Sequence, residues 1–108
     1  MATTYKVLGQ SSPSATTNTD LYTVPASTST VVSTLSICNR GSAASVRVAV
    51  RPAGAAIANQ HYVIYDTIIS QTDSLHLTLG ITLATTDVVT VYASSANLSF
   101  SLFGSEIT

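Results

Sequence analysis

Charge is the scarcest commodity in this chain of 108 residues: Lys and Arg together number 4, Asp and Glu 5, and charged residues make up only 8% of the whole. A monomeric cytosolic domain carries about 25%, and that charge keeps its surface solvated and unassociated. A nucleic-acid partner is excluded on the same ground. Phosphate binding needs clustered cations, and Lys6, Arg40, Arg47 and Arg51 are all there are against a formal charge of −1. Cysteine is reduced to Cys38, which rules out an internal disulfide and a Cys-based zinc site. Tryptophan is absent and aromatics reach 6%, a poor supply for stacking on sugars. No run approaches the roughly 20 apolar residues of a membrane span. The amino terminus has neither the basic nor the apolar region of a secretory leader, so synthesis in a cytoplasm, with no membrane partner, is expected.

What the chain has instead is hydroxyl and β-branched residues. Its polar surface falls to 16 Ser and 17 Thr, and Thr, Val and Ile together number 35. Such residues fit a pleated, half-buried surface. Apolar residues recur with period two at Val46/Val48/Val50, Leu75/Leu77/Leu79, Val89/Val91/Ala93 and Leu98/Phe100/Leu102. That is the pattern of strands with one face in the core. Turn-forming clusters separate these runs at Pro25–Ser27, Asn39–Ser42, Pro52–Gly54, Gln71–Ser74, Thr85–Asp87 and Ser94–Asn97. Strands are therefore expected near 4–8, 20–24, 30–39, 44–51, 60–69, 74–83, 87–93 and 97–103. The alanine-rich stretch 53–59 is the one place for a helical turn. The fold class predicted is all-β: a single antiparallel sandwich of about eight strands, jelly-roll-like or immunoglobulin-like. Residues 9–19 contain no large apolar side chain and supply nothing to a core. This divides the chain into a short first strand plus extended Ser/Thr-rich arm over 1–19 and a sandwich over 20–108. The arm reads equally as a surface loop or as a segment laid across a neighbouring subunit.

A catalytic constellation does not emerge. His61 and His76 lack a metal-binding spacing, and the five acidic residues are scattered singly. No nucleophile elbow, phosphate-cradling glycine loop or calcium loop is present. The expectation is a protein without catalytic residues, metal or cofactor. His76 alternates away from the leucines beside it and is expected on a strand surface. Cys38, at the end of the apolar run Leu35–Ile37, reads as a small buried hydrophobe. The arginines are expected to pair with Asp66, Asp73, Asp87 or a neighbouring subunit. Arg47 and Arg51 alternate with buried valines and belong on the outer face, as does Tyr92 between Val91 and Ala93. Tyr62 and Tyr65 are expected on opposite faces of their strand. Exposed Tyr and Arg favour interfaces, so Tyr5, Arg47, Arg51, Tyr62 and Tyr92 are the candidate surface contacts.

The segments Tyr5–Gln10, Leu21–Ala26, Ile37–Arg40, Val48–Pro52, Tyr65-Asp66, Leu79–Leu83, Asp87–Ser94 and Ser99–Gly104 occur in that order. Together they resemble small β-rich virion structural proteins of tailed bacteriophages, including phages of cyanobacteria, that are associated with the tail fibre. The resemblance spans essentially the whole chain and rests on structural motifs. It implies a structural protein of the viral tail, assembled as a homotrimer with a longer fibre protein and located in the virion. Two other roles are weighed beside it. One is a capsid decoration or cement protein. The other is a carbohydrate-binding module for host attachment that meets a host-surface glycan through Tyr62 or Tyr92.

Overall fold

The computed structural model of the chain describes residues 2–108, and all of their side chains but that of Leu79. Eight strands follow one another: β1 (Thr3–Ser11), β2 (Thr19–Thr23), β3 (Ser29–Asn39), β4 (Ala44–Arg51), β5 (Tyr62–Ile69), β6 (Ser74–Leu83), β7 (Val88–Ala93) and β8 (Leu98–Ile107). The alanine-rich connection between β4 and β5 holds two short 3-10 turns, Pro52–Gly54 and Asn59–His61.

Pairing is antiparallel throughout and nested. β4 pairs with β5, β3 with β6, β2 with β7 and β1 with β8. The chain is thus one long hairpin, closed at β4–β5 and folded over on itself. Folding over adds the pairs β3–β8 and β4–β7, which gives a first sheet in the order β1-β8-β3-β6 and a second in the order β2-β7-β4-β5. This is the jelly-roll arrangement of an eight-stranded double sheet. An immunoglobulin-like sandwich is excluded, because it is built largely from sequential hairpins, whereas here, among the described residues, β4 and β5 are the only consecutive strands that pair.

The core lies between the sheets, where alternation predicts it. Leu35, Ile37, Leu98, Phe100 and Leu102 of the first sheet face Val46, Val48 and Val91 of the second, and each is fully buried. At roughly 1.5–3 kcal/mol per fully buried large apolar side chain, this layer is the main source of stability. Leu75 and Leu77, on the edge strand β6, are only half-buried. Leu79 of the same expected face lies outside the described side chains.

Two expectations are corrected here. Cys38 is exposed: Leu35 and Ile37 point inward, so period two places Cys38 outward, opposite Ser74 and Ser99. The first strand is also longer than the expected 4–8. Gly9, Gln10 and Ser11 are strand residues, held by backbone pairing to Leu102, Ser101 and Phe100 although they offer little to the core. The rest of the expected arm is the crossing from the first sheet to the second. It is tied to its own domain by Arg40 Nη2 donating to Ser12 Oγ at 2.8 Å and by the Thr16 N–H donating to the Ala93 carbonyl at 2.8 Å.

Candidate functional site

The outer face of the second sheet gathers most of the candidate residues. Arg47 projects from β4 and Tyr92 from the facing position of β7. On the other side of β4 the edge strand β5 is irregular. Ala49 faces Tyr62 and Val48 faces Ile64, so one step along β4 matches two along β5. Between Val48 and Val46 the partner advances from Ile64 to Thr67, which sets both Tyr65 and Asp66 beside Arg47. Two bulges therefore interrupt β5, and bulges re-aim side chains. Asp66 adopts the left-handed region at φ 53°, which Asp tolerates better than most residues.

The bulges overturn one expectation. Tyr62 and Tyr65, predicted on opposite faces, stand together with ring centroids 4.9 Å apart and planes at 79°. The register shift at Val63 reverses the alternation between them. Arg47 lies against both Tyr65 and Tyr92, its central carbon 4.4 Å from each ring centroid. It also forks onto one carboxylate, Nε donating to Asp66 Oδ1 at 2.6 Å and Nη2 to Oδ2 at 3.2 Å. Charge-assisted donation from Arg47 holds the Asp66 carboxyl below its ordinary pKa. The cation is thus fixed in the plane of a carboxylate and flanked by aromatic faces, which is favourable geometry for cation–π attraction. Beside it, Asn59, Tyr62 and Tyr65 line an open recess of about 370 Å³.

The other two candidates lie elsewhere. Arg51, at the far end of β4, donates through Nη2 to Asp20 Oδ1 at 2.9 Å, through Nε to Thr90 Oγ1 at 3.0 Å and through Nη1 to the Ala55 carbonyl at 3.0 Å. That arginine is committed to tying β2, β7 and the loop after β4. Tyr5 stands on the outer face of the first sheet and is 84% exposed. With Lys6, Val31, Ser33, Phe103 and Ser105 it lines a shallow hollow of about 320 Å³. Arg40 bonds Ser12, Ser99 and the Ala96 carbonyl rather than any of the acidic residues expected for it.

Sequence reasoning missed the polar cluster inside the sandwich. Tyr22 of β2 reaches across to the first sheet, where its hydroxyl donates to Glu106 Oε2 at 2.5 Å and lies 2.8 Å from Thr30 Oγ1. Lys6 Nζ donates to the other carboxylate oxygen at 3.2 Å. Burial, and then the neighbouring carboxylate, push the Tyr22 phenol up to about 12, while donation from Tyr22 and Lys6 holds Glu106 below its ordinary value. The signal available was slight: Glu106 lies beyond the last expected strand, 97–103, and nothing in its neighbours pairs it with Tyr22.

The histidines take ordinary places. His61 is buried, and its Nδ1 accepts the Ala58 N–H at 3.1 Å. His76 is exposed between Ser36 and Ser74, at 2.9 and 3.2 Å. Among the described residues, no group of three or more His, Cys, Asp or Glu side chains is placed to hold a metal ion. No family model, curated protein or solved structure matches this chain.

Proposed function

We propose that this chain is a non-enzymatic structural subunit of a bacteriophage virion, packed as a homotrimer with a longer fibre protein in the tail. The observation that carries the assembly part is the outer face of the first sheet. Tyr5, Val31 and Phe103 line an open hollow there, and Tyr5 gives 84% of its surface to water. An exposed apolar patch on a small domain marks an interaction surface. Around it the face is hydroxyl-rich, and the one charged side chain lining the hollow, Lys6, is already paired with Glu106 at 3.2 Å, so covering it desolvates no unpaired ion. A specific interface takes about 800 Å² from each partner, a modest share of the 5437 Å² that the domain exposes. Placement in the tail rests on the resemblance of the sequence segments. The jelly-roll order favours a second reading, a capsid decoration protein, because viral capsid domains use the same arrangement; fold alone does not choose between them.

Light scattering coupled to size-exclusion chromatography tests the assembly reading. A trimer is expected at micromolar concentration, and the double variant Tyr5→Ser/Phe103→Ser is expected to run as a folded monomer. A wild-type monomer would sink the proposal. Gold-labelled antibody against the protein on intact particles then separates tail from head, and decoration of the head lattice would favour the second reading.

A further inference from the structure

The recess on the second sheet has a chemistry of its own, and we propose that it binds a neutral pyranose. The rings of Tyr62 and Tyr65 meet nearly at right angles, at 79° with centroids 4.9 Å apart. Asn59 completes the recess they form. Tyr65 is 57% exposed, so the corner opens to solvent. Its volume of about 370 Å³ lies within the range of small-molecule sites. A sugar ring presents an apolar face of C–H groups and a rim of hydroxyls. An aromatic corner suits the first, and a carboxamide, which has both donor and acceptor, suits a vicinal pair of the second.

Charge selects among sugars. The nearest ions, Arg47 and Asp66, neutralise each other in a two-bond fork. A carboxylated or phosphorylated ring therefore meets no uncommitted cation here, and the site favours a neutral ligand. The walls are also held in advance. Tyr65 is held by its contacts with Arg47 and with Tyr62 while 57% of it stays exposed, so binding orders few side chains. The edge of the sheet argues against an extended peptide as the occupant. β5 carries two register shifts and a left-handed Asp66, and such an irregular edge does not template an added strand. The inference stands independently of the assembly reading, since all its parts come from one chain; in a multimer, repeated sites would multiply the avidity by about 10²–10⁴.

Saturation-transfer difference NMR on the full chain, with the methyl glycosides of glucose, galactose, mannose and N-acetylglucosamine at millimolar concentration, tests this. Transfer to ring C–H protons is expected for at least one of them. The shift changes on titration are expected to map to Asn59, Tyr62 and Tyr65. Tyr65→Ser and Asn59→Ala are each expected to weaken binding roughly tenfold, the equivalent of about 1.4 kcal/mol, while Tyr5→Ser leaves it unchanged. Absence of transfer from every glycoside overturns the proposal. So does transfer that persists in both variants, shift changes that map elsewhere, or a preference for methyl glucuronide over the neutral sugars. Both substituted residues are exposed, and the wild-type titration map decides the matter even if a variant does not fold.

Discussion

The two sheets of this sandwich share one core and one alternation, yet their outer faces differ in kind. The first sheet shows water a run of hydroxyl, amide and imidazole groups, among them Gln10 bonded to Ser101 and His76 bonded to Ser36 and Ser74. This gives way at one end to the apolar hollow around Tyr5. The second sheet gathers two of the three ion pairs among the described residues, Arg47–Asp66 and Arg51–Asp20, and three tyrosines around the first of them. Desolvating a hydroxyl costs far less than desolvating an ion, so the first face suits permanent cover by another chain. The second suits water and a small ligand. The two sheets differ less in how many charges they carry than in their use: Glu106 of the first sheet turns to Tyr22 between the sheets, whereas Arg47 and Asp66 of the second meet beside tyrosine rings.

The largest effect is expected where the faces are separated, in the shared core. Val48 is 1% exposed, and the parity that buries it turns Arg47 outward. Val48→Asp puts an unpaired carboxylate there at a cost of several kcal/mol, comparable with the whole stability of a domain this size. Far-ultraviolet circular dichroism should show an unfolded chain at room temperature. A folded variant would mean that the alternation, and with it the assignment of both faces, is wrong.

The next effect concerns the bridge that joins the sheets. Tyr22→Phe removes a hydroxyl held by Thr30 and Glu106. The expected loss is about 1–3 kcal/mol, seen by calorimetry as a fall in Tm of roughly 5–15 °C. The bridge also fixes how stability depends on pH. Glu106 titrates below its ordinary 4.5, chiefly because Tyr22 donates to it. Its contribution is therefore full above that value and is lost as pH falls through the lowered one. Tyr22 is raised from 10.0 to about 12, chiefly by burial, so its contribution is full below 10.0 and is lost as pH rises through about 12. Stability should be flat between these limits and fall on both sides. Spectrophotometric titration should find one tyrosine ionising late, and Tyr22→Phe should remove it; ionisation of all five tyrosines together below pH 11 would contradict the bridge.

Strands were legible and their pairing was not, for a physical reason. Each strand carries its own period of two, bounded by turn residues, so its position is local information. The nested order is set by contacts between segments distant in the chain, such as Tyr5 with Ser105, and no local pattern encodes them. The apolar run before Cys38 suggests burial, but the parity of Leu35 and Ile37 points it outward, and parity decides. Arg47, Arg51 and Tyr92 were placed on the outer face by the same parity. Tyr62 and Tyr65 were separated because a bulge leaves no apolar signature; an aspartate inside a strand, at position 66, was the one hint that the backbone turns left-handed there. The recess at the candidate saccharide site exists because of that irregularity.

The smallest effect is the most discriminating for this reason. Asp66 does two things at once: it holds a left-handed backbone position within the bulged stretch of β5 and it supplies the partner of Arg47. Asp66→Asn keeps the first, because Asn also tolerates that conformation, and weakens the second by removing the charge. Its carboxylate is 43% exposed, and exposed pairs contribute little to stability, so the Tm is expected to fall by much less than in Tyr22→Phe. What should change is the ligand preference of the neighbouring recess. With Arg47 no longer neutralised, the variant should gain transfer from methyl glucuronide while keeping that from the neutral glycoside. If stability falls as far as in Tyr22→Phe, the ion pair is a structural strut and the second face resembles the interior bridge. If stability holds and the preference shifts, the charge on this face serves selection among ligands.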